Sequence, residues 1–191
     1  LFKTLYYLSM ELVKKIESSN ILKKVIIVIF ATLLLTISAK IQVPFYPVPM
    51  TMQTFVVVLI GISLGWKLGL ATIILYLFEG AIGLPVFAGT PEKGIGISYM
   101  VGPTGGYLVG FITAVFIAGF VNLNKNIFIK FLLISFAIFA IYFTGVPWLA
   151  YLAGWEVAYV WGIKNFVLAE IFKIAILVIS AEKLLKIRKI I

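Results

Sequence analysis

Residues 25–39 read VIIVIFATLLLTISA, fifteen positions without a charge, bounded by Lys24 and Lys40. A helix crossing the hydrocarbon layer needs about 20 apolar residues. This segment therefore borrows from its flanks, with the bounding lysines snorkelling outward. The pattern recurs at Thr51–Gly65, Leu68–Phe87, Gly106–Val121, Ile127–Phe143 and Phe166–Leu185. Over the 191 residues, 63% are hydrophobic, 12% are charged and mean hydropathy is +1.16. A soluble domain is about half apolar and about a quarter charged. Long apolar runs lack the alternation of a β-barrel, and an open sheet leaves backbone groups unsatisfied in lipid. The expected fold is an all-α integral membrane protein with six transmembrane helices over 21–191. Residues 1–20, which mix charged and apolar positions, form a leader open to two readings: a surface-lying amphipathic helix or a loosely ordered segment.

Cysteine, histidine and aspartate are all absent. That excludes disulfides, thiol nucleophiles, His-ligated metals and imidazole acid–base catalysis, and no metal site or cofactor is expected. The net charge of +9 has no soluble basic face to act through, so nucleic acid is excluded as a partner. It sorts by side instead. With six spans, twelve basic residues from Lys3 to Lys189 fall on one side and only Lys40, Lys93 and Lys164 on the other. By the positive-inside rule both termini are expected in the cytoplasm.

Three irregular connections share the outer side: KIQVPFYPVPMTMQ (40–53, with Pro44, Pro47 and Pro49), GLPVFAGTPEKGIGISYMVGPTGGYLVGF (83–111) and TGVPWLAYLAGWEVAYVWGIKN (144–165). Non-helical backbone near membrane depth is tolerated where protein or a water-lined cavity satisfies it. Together they predict irregular outer loops capping a pocket. The aromatic residues Trp148, Tyr151, Trp155, Tyr159 and Trp161 also fit an interfacial belt. Clustering with glycine favours pocket roles for Tyr107 and Trp148.

The last span, NFVLAEIFKIAILVIS (165–180), places Glu170 and Lys173 three residues apart on one helical face. Ionisable groups at this depth are costly unless they pair or face a cavity. Mutual pairing and ligand binding both remain open. Glu79 is a further acid near the membrane, read either at the pocket mouth or paired with an outer lysine. Glu92 and Lys93 read as solvated loop residues. Ala31, Thr32, Thr36 and Ala39 present a small-residue face on the first span, suited to docking another subunit or to internal packing.

VPFYPVPMTMQTFVVVLIG (43–61), YLFEGAIGLPVFAG (76–89) and GPTGGYLVGF (102–111), in this order and within six spans, resemble the BioY family; the acid-x-x-Lys of the last span extends the match. The resemblance implies the biotin-binding subunit of an energy-coupling-factor vitamin transporter, with an outward pocket closed by its loops. It also implies partnership with a transmembrane coupling subunit and two ATPase subunits. Carried onto this chain, the substrate-binding positions are Gln53, Tyr76, Phe87, Gly89, Thr104, Gly105, Tyr107, Glu170 and Lys173, and the docking face is Ala31, Thr32, Thr36 and Ala39. Charge logic assigns Lys173 to the biotin carboxylate and Glu170 to the ureido N–H groups. The family's usual aspartate is Glu170 here, one methylene longer, and Leu35 weakens the docking pattern; alternatives are another vitamin or transport without the usual partner. The chain is not expected to be an enzyme. GPTGG lacks the Gly-Lys-Ser/Thr of a phosphate-binding loop, and no serine elbow accompanies Lys173.

Overall fold

The computed structural model describes residues 2–44, 50–122 and 124–189, with side chains from residue 20 onward. Pro47, Pro49 and the leader's amphipathic face lie outside the described residues. Helix α1 (Phe2–Lys40) runs unbroken from the leader into the first span, and is followed by the short antiparallel strands β1 (Gln42–Val43) and β2 (Met50–Thr51). Then come α2 (Gln53–Ala81), α3 (Gly96–Met100), α4 (Gly105–Ala118), α5 (Ile127–Ala153), α6 (Trp155–Tyr159), a π-helical turn (Val160–Lys164) and α7 (Val167–Arg188).

The second and third spans are the two halves of α2. Gly65, at φ 75° and ψ 172°, breaks the helix in a conformation that only glycine adopts at little cost. The halves double back, so that a Cβ on Gly69 would lie 3.6 Å from the Gly61 Cα. With α1, α4, α5 and α7 this makes six membrane-crossing segments. Residues 20–40, 53–81 and 127–153 are long and apolar; α4 is shorter, and α7 carries the charged pair.

Two boundaries differ from expectation. The third span stops at Ala81, so Phe87 belongs to the following loop. The fifth continues past Phe143 through Pro147 to Ala153, so the first ten residues of the expected third loop are helical. Proline is tolerated inside such a helix where packing and side-chain donors re-satisfy the backbone. Gly106 and Gly110 on α4 face α5 closely enough for the Thr144 hydroxyl to donate to the Gly106 carbonyl at 2.8 Å.

The core draws on every span, with Leu35, Val57, Ile60, Ile73, Ala114, Ile134, Ile141 and Leu177 all fully buried. The opposite faces are just as apolar: Phe30, Phe78, Phe128, Phe143 and Ile179 lie exposed, Ile179 by 79%. Such a surface is stable only against lipid, and the chain is a multi-pass membrane protein. On α1 the small residues Ala31, Thr32 and Ala39 are turned inward and buried, with Thr32 donating to Glu79 of α2 at 3.1 Å; Thr36 is half-buried. The face read from sequence as a possible docking strip is thus covered by the chain's own second helix, because small side chains let α1 and α2 approach closely.

Candidate functional site

The first two turns of α7 bring Glu170 and Lys173 inside the bundle, 6% and 2% exposed. The Lys173 Nζ donates to Glu170 Oε1 at 2.9 Å and to Thr54 Oγ1 at 2.9 Å. The Thr54 hydroxyl, at the second residue of α2, donates in its turn to the Glu170 carboxylate, 2.9 Å from Oε1 and 3.2 Å from Oε2. The Tyr142 hydroxyl, from α5, donates to Oε1 at 3.0 Å. Three donors therefore converge on Oε1, while Oε2 has only the longer Thr54 contact. Lys173 has committed two of its three N–H groups. The result is an electrically neutral platform with one carboxylate oxygen and one ammonium proton to offer.

Above the platform lies a cavity of about 390 Å³. Leu108, Phe111, Leu149, Val157, Tyr107, Trp161 and Phe166 supply apolar wall, while Gln53, Thr104, Tyr99 and Pro103 contribute nearer the loops. Of the nine positions singled out from sequence, Gln53, Thr104, Tyr107, Glu170 and Lys173 line this space, and Tyr76, Phe87, Gly89 and Gly105 stand behind it. Gln53 Nε2 donates to the Tyr76 hydroxyl at 2.9 Å, which donates to the Val86 carbonyl at 2.9 Å. Phe87, 1% exposed, lies on Gly80, edge-on to Tyr76 and stacked on Tyr99 at 5.0 Å. Gly105 packs against the Met100 carbonyl at the start of α4. These residues set the position of the wall without forming its surface.

The loop over the cavity is held at several carbonyls. Besides Tyr76 on Val86, the Tyr99 hydroxyl donates to the Ala88 carbonyl at 2.7 Å, and Lys40 Nζ donates to the Thr90 carbonyl at 2.6 Å and to its hydroxyl at 2.7 Å. Burial raises the Tyr99 hydroxyl above the ordinary phenol range, so it stays protonated and donating. Within the loop, Lys93 N–H closes a turn onto the Gly89 carbonyl at 2.9 Å. Gly89 sits at φ 73°, and a Cβ there would fall 2.7 Å from Lys93 Cδ. Gly89 therefore seats the lysine stem. Lys93 is exposed yet lines the cavity, and among the described residues no carboxylate pairs with it. Expected as a solvated loop residue, it stands at the mouth, because the glycine-bounded turn folds its stem back over the opening.

The other expectations sort by geometry. Glu79 takes its hydrogen bond from Thr32 rather than a lysine, and does not line the cavity. Trp148 donates to the Gly102 carbonyl at 2.8 Å and so fixes the turn before α4. Tyr151, Trp155 and Tyr159 are exposed, as belt residues are. Thr54 and Tyr142 escaped sequence reading because nothing local marks one threonine or tyrosine among many.

A family model described as the BioY family matches residues 10–190. A probable biotin transporter BioY from Pyrococcus horikoshii is 40% identical over 162 residues, covering 85% of this chain and 96% of the relative. The biotin transporter BioY of Thermotoga maritima is 45% identical over 97 residues, covering 51% and 56% of the two chains. The crystal structure of the S-component for biotin from an ECF-type ABC transporter superposes with a TM-score of 0.73 at 24% identity, covering 88% of this chain and 93% of that one, a likeness in fold. With the family model spanning nearly the whole sequence and a relative matched along almost its full length, the chain belongs to the BioY family.

Proposed function

We propose that this chain captures biotin and serves as the substrate-binding subunit of an ECF-type transporter. The observation that carries this reading is the order of chemistry along the cavity: a neutral polar platform at the buried end, apolar and aromatic walls, and at the exposed mouth an ammonium that pairs with no carboxylate among the described residues. Biotin presents the same sequence, with a ureido ring, a sulfur ring and aliphatic chain, and a terminal carboxylate. A volume of about 390 Å³ lies within the usual range for small-molecule sites, about 300–1,000 Å³.

In this pose Glu170 Oε2 accepts from a ureido N–H, and the third Lys173 N–H donates to the ureido oxygen. The carboxylate meets Lys93. Glu170 keeps the ureido role that charge logic gave it, while the carboxylate passes from Lys173 to Lys93. A ligand carboxylate at the buried end would place two anions around one ammonium out of water, a net charge that a dry site disfavours. A neutral ureido group adds hydrogen bonds and no charge.

The names borne by the relatives support transport rather than catalysis, and the protein is not an enzyme. ATP hydrolysis is assigned to partners, a transmembrane coupling subunit and two ATPase subunits. The distribution of lysines supports both termini in the cytoplasm and the cavity facing outward.

Equilibrium binding of labelled biotin to the purified protein tests the reading; no binding at micromolar ligand would overturn it. Lys93→Gln is expected to weaken biotin about five-fold, the scale of one partly exposed ion pair, and to leave biotinamide, which lacks the negative charge, unaffected. Equal losses for the two ligands would remove Lys93 from the carboxylate. Tyr142→Phe deletes a charge-assisted donor to Glu170 and is expected to weaken both ligands about ten-fold alike, since it acts at the ureido end.

A further inference from the structure

At the opposite end of α7, about 27 Å along the helix from Glu170 at 1.5 Å per residue, lies a second cavity that the transport reading does not use. It encloses about 580 Å³, and Trp66, Phe120, Asn122, Asn124, Arg188 and Lys189 are among its lining residues. Among the described residues no carboxylate lines it. Glu182 of the same helix is turned to Lys130, at 3.3 Å.

Arg188 is built into place. Its Nη1 donates to the Gly119 carbonyl at 2.9 Å and the Val121 carbonyl at 3.3 Å, at the C-terminal end of α4. Its guanidinium lies on the bare face of Gly65, where a Cβ would come within 2.6 Å of Nη2. Its Nε and Nη2 hydrogens have no acceptor among the described residues. Lys67 is not part of the lining but holds its ammonium 5.4 Å from the centre of the Trp66 ring, which is, so a third cation stands at the rim. A fixed guanidinium fork, the Lys189 ammonium and two side-chain amides, with Lys67 at the rim, make a receptor for a phosphate-bearing anion.

The source of that phosphate follows from the aromatic rim. Trp66 packs edge-on to Phe116 with centroids 5.9 Å apart, and Phe116 edge-on to Phe120 at 5.0 Å. These rings are 37%, 41% and 49% exposed on the face turned to lipid. Trp66 and Phe120 thus belong both to the groove and to an apolar strip leading away from it. We infer that this groove is a binding site for an anionic phospholipid, with the phosphate at Arg188, Lys67 and Lys189 and an acyl chain along Trp66, Phe116 and Phe120. Basic pockets between membrane helices on the cytoplasmic side suit such headgroups.

Native mass spectrometry of the detergent-purified protein, supplied with phosphatidylglycerol or phosphatidylcholine, tests this. The unaltered protein is expected to retain phosphatidylglycerol at least ten-fold over phosphatidylcholine. Lys67→Gln combined with Lys189→Gln is expected to cut that retention about 25-fold, at about five-fold per surface charge, with biotin binding unchanged. Arg188→Gln should weaken retention further. Millimolar glycerol phosphate is expected to leave the lipid bound. Equal retention of the two lipids, or an unaltered preference in the double variant, overturns the site. Displacement by glycerol phosphate overturns the lipid as its occupant in favour of a soluble phosphate.

Discussion

Lys173→Met is expected to abolish biotin binding, lowering affinity by more than 100-fold, and to destabilise the protein as well. The two effects have one origin. Lys173 neutralises Glu170 in a site where both are almost wholly buried, and removing one partner of such a pair costs about 3–5 kcal/mol because the other charge is left uncompensated. A loss of binding by this variant alone would therefore say little about contact with the ligand. Adding Glu170→Gln removes the stranded charge. The double variant is expected to recover most of the unfolding temperature while biotin binding stays absent, since the platform then lacks both the ammonium donor and the ionised acceptor. Thermal unfolding in detergent and equilibrium binding measured side by side separate the effects. Binding within three-fold of the unaltered protein in either variant would remove the pair from the ligand.

Gly110→Val is expected to have the largest effect on folding. A Cβ at Gly110 would lie 2.6 Å from the Ile141 Cα and 2.9 Å from the Ile141 carbonyl oxygen, and one at Gly106 would lie 2.7 Å from the Thr144 carbonyl oxygen. These are backbone atoms, which cannot rotate aside as a side-chain tip can, so the α4 and α5 axes must part. In lipid, helix association depends on such close contact, because the bilayer is as apolar as the helix faces. Overpacking of this kind costs about 3 kcal/mol or more. Parting the helices also shifts Tyr107 and Tyr142, which meet edge to face at 5.8 Å on the cavity wall, so ligand binding should fall with stability. Val109→Leu, one residue away on the lipid-facing side, is the control and should change the unfolding temperature little. An unchanged unfolding temperature in Gly110→Val would mean that this contact is not what holds α4 to α5.

Much of this architecture is written in local pattern. Uninterrupted apolar runs determine membrane spans, because a backbone in hydrocarbon must satisfy its own hydrogen bonds and helices do so within a segment. The spacing of Glu170 and Lys173 determines that they share a face, since three residues of helix bring side chains together whatever surrounds them. Glycine and proline mark where the outer connections leave regular helix. The ends of segments are less legible: α5 continues through Pro147 because contacts with neighbouring helices stabilise it, and those lie outside any sequence window.

Only the tertiary structure decided which residues meet. Thr54 and Tyr142 lie 116 and 28 positions from Glu170 along the chain and reach the same carboxylate. The small face of α1 was equally suited to a partner or to its own bundle, and packing against α2 chose the second. Phe87 and Tyr76, carried over as ligand contacts, became the support behind the wall once the loop folded Phe87 onto Gly80. Lys93 moved the other way, from solvent to the cavity mouth, because Gly89 leaves room for its stem. Periodicity and hydropathy determine which way a residue faces on its own helix, whereas a pocket is made of contacts between helices, and these depend on how side-chain volumes fit once the helices pack.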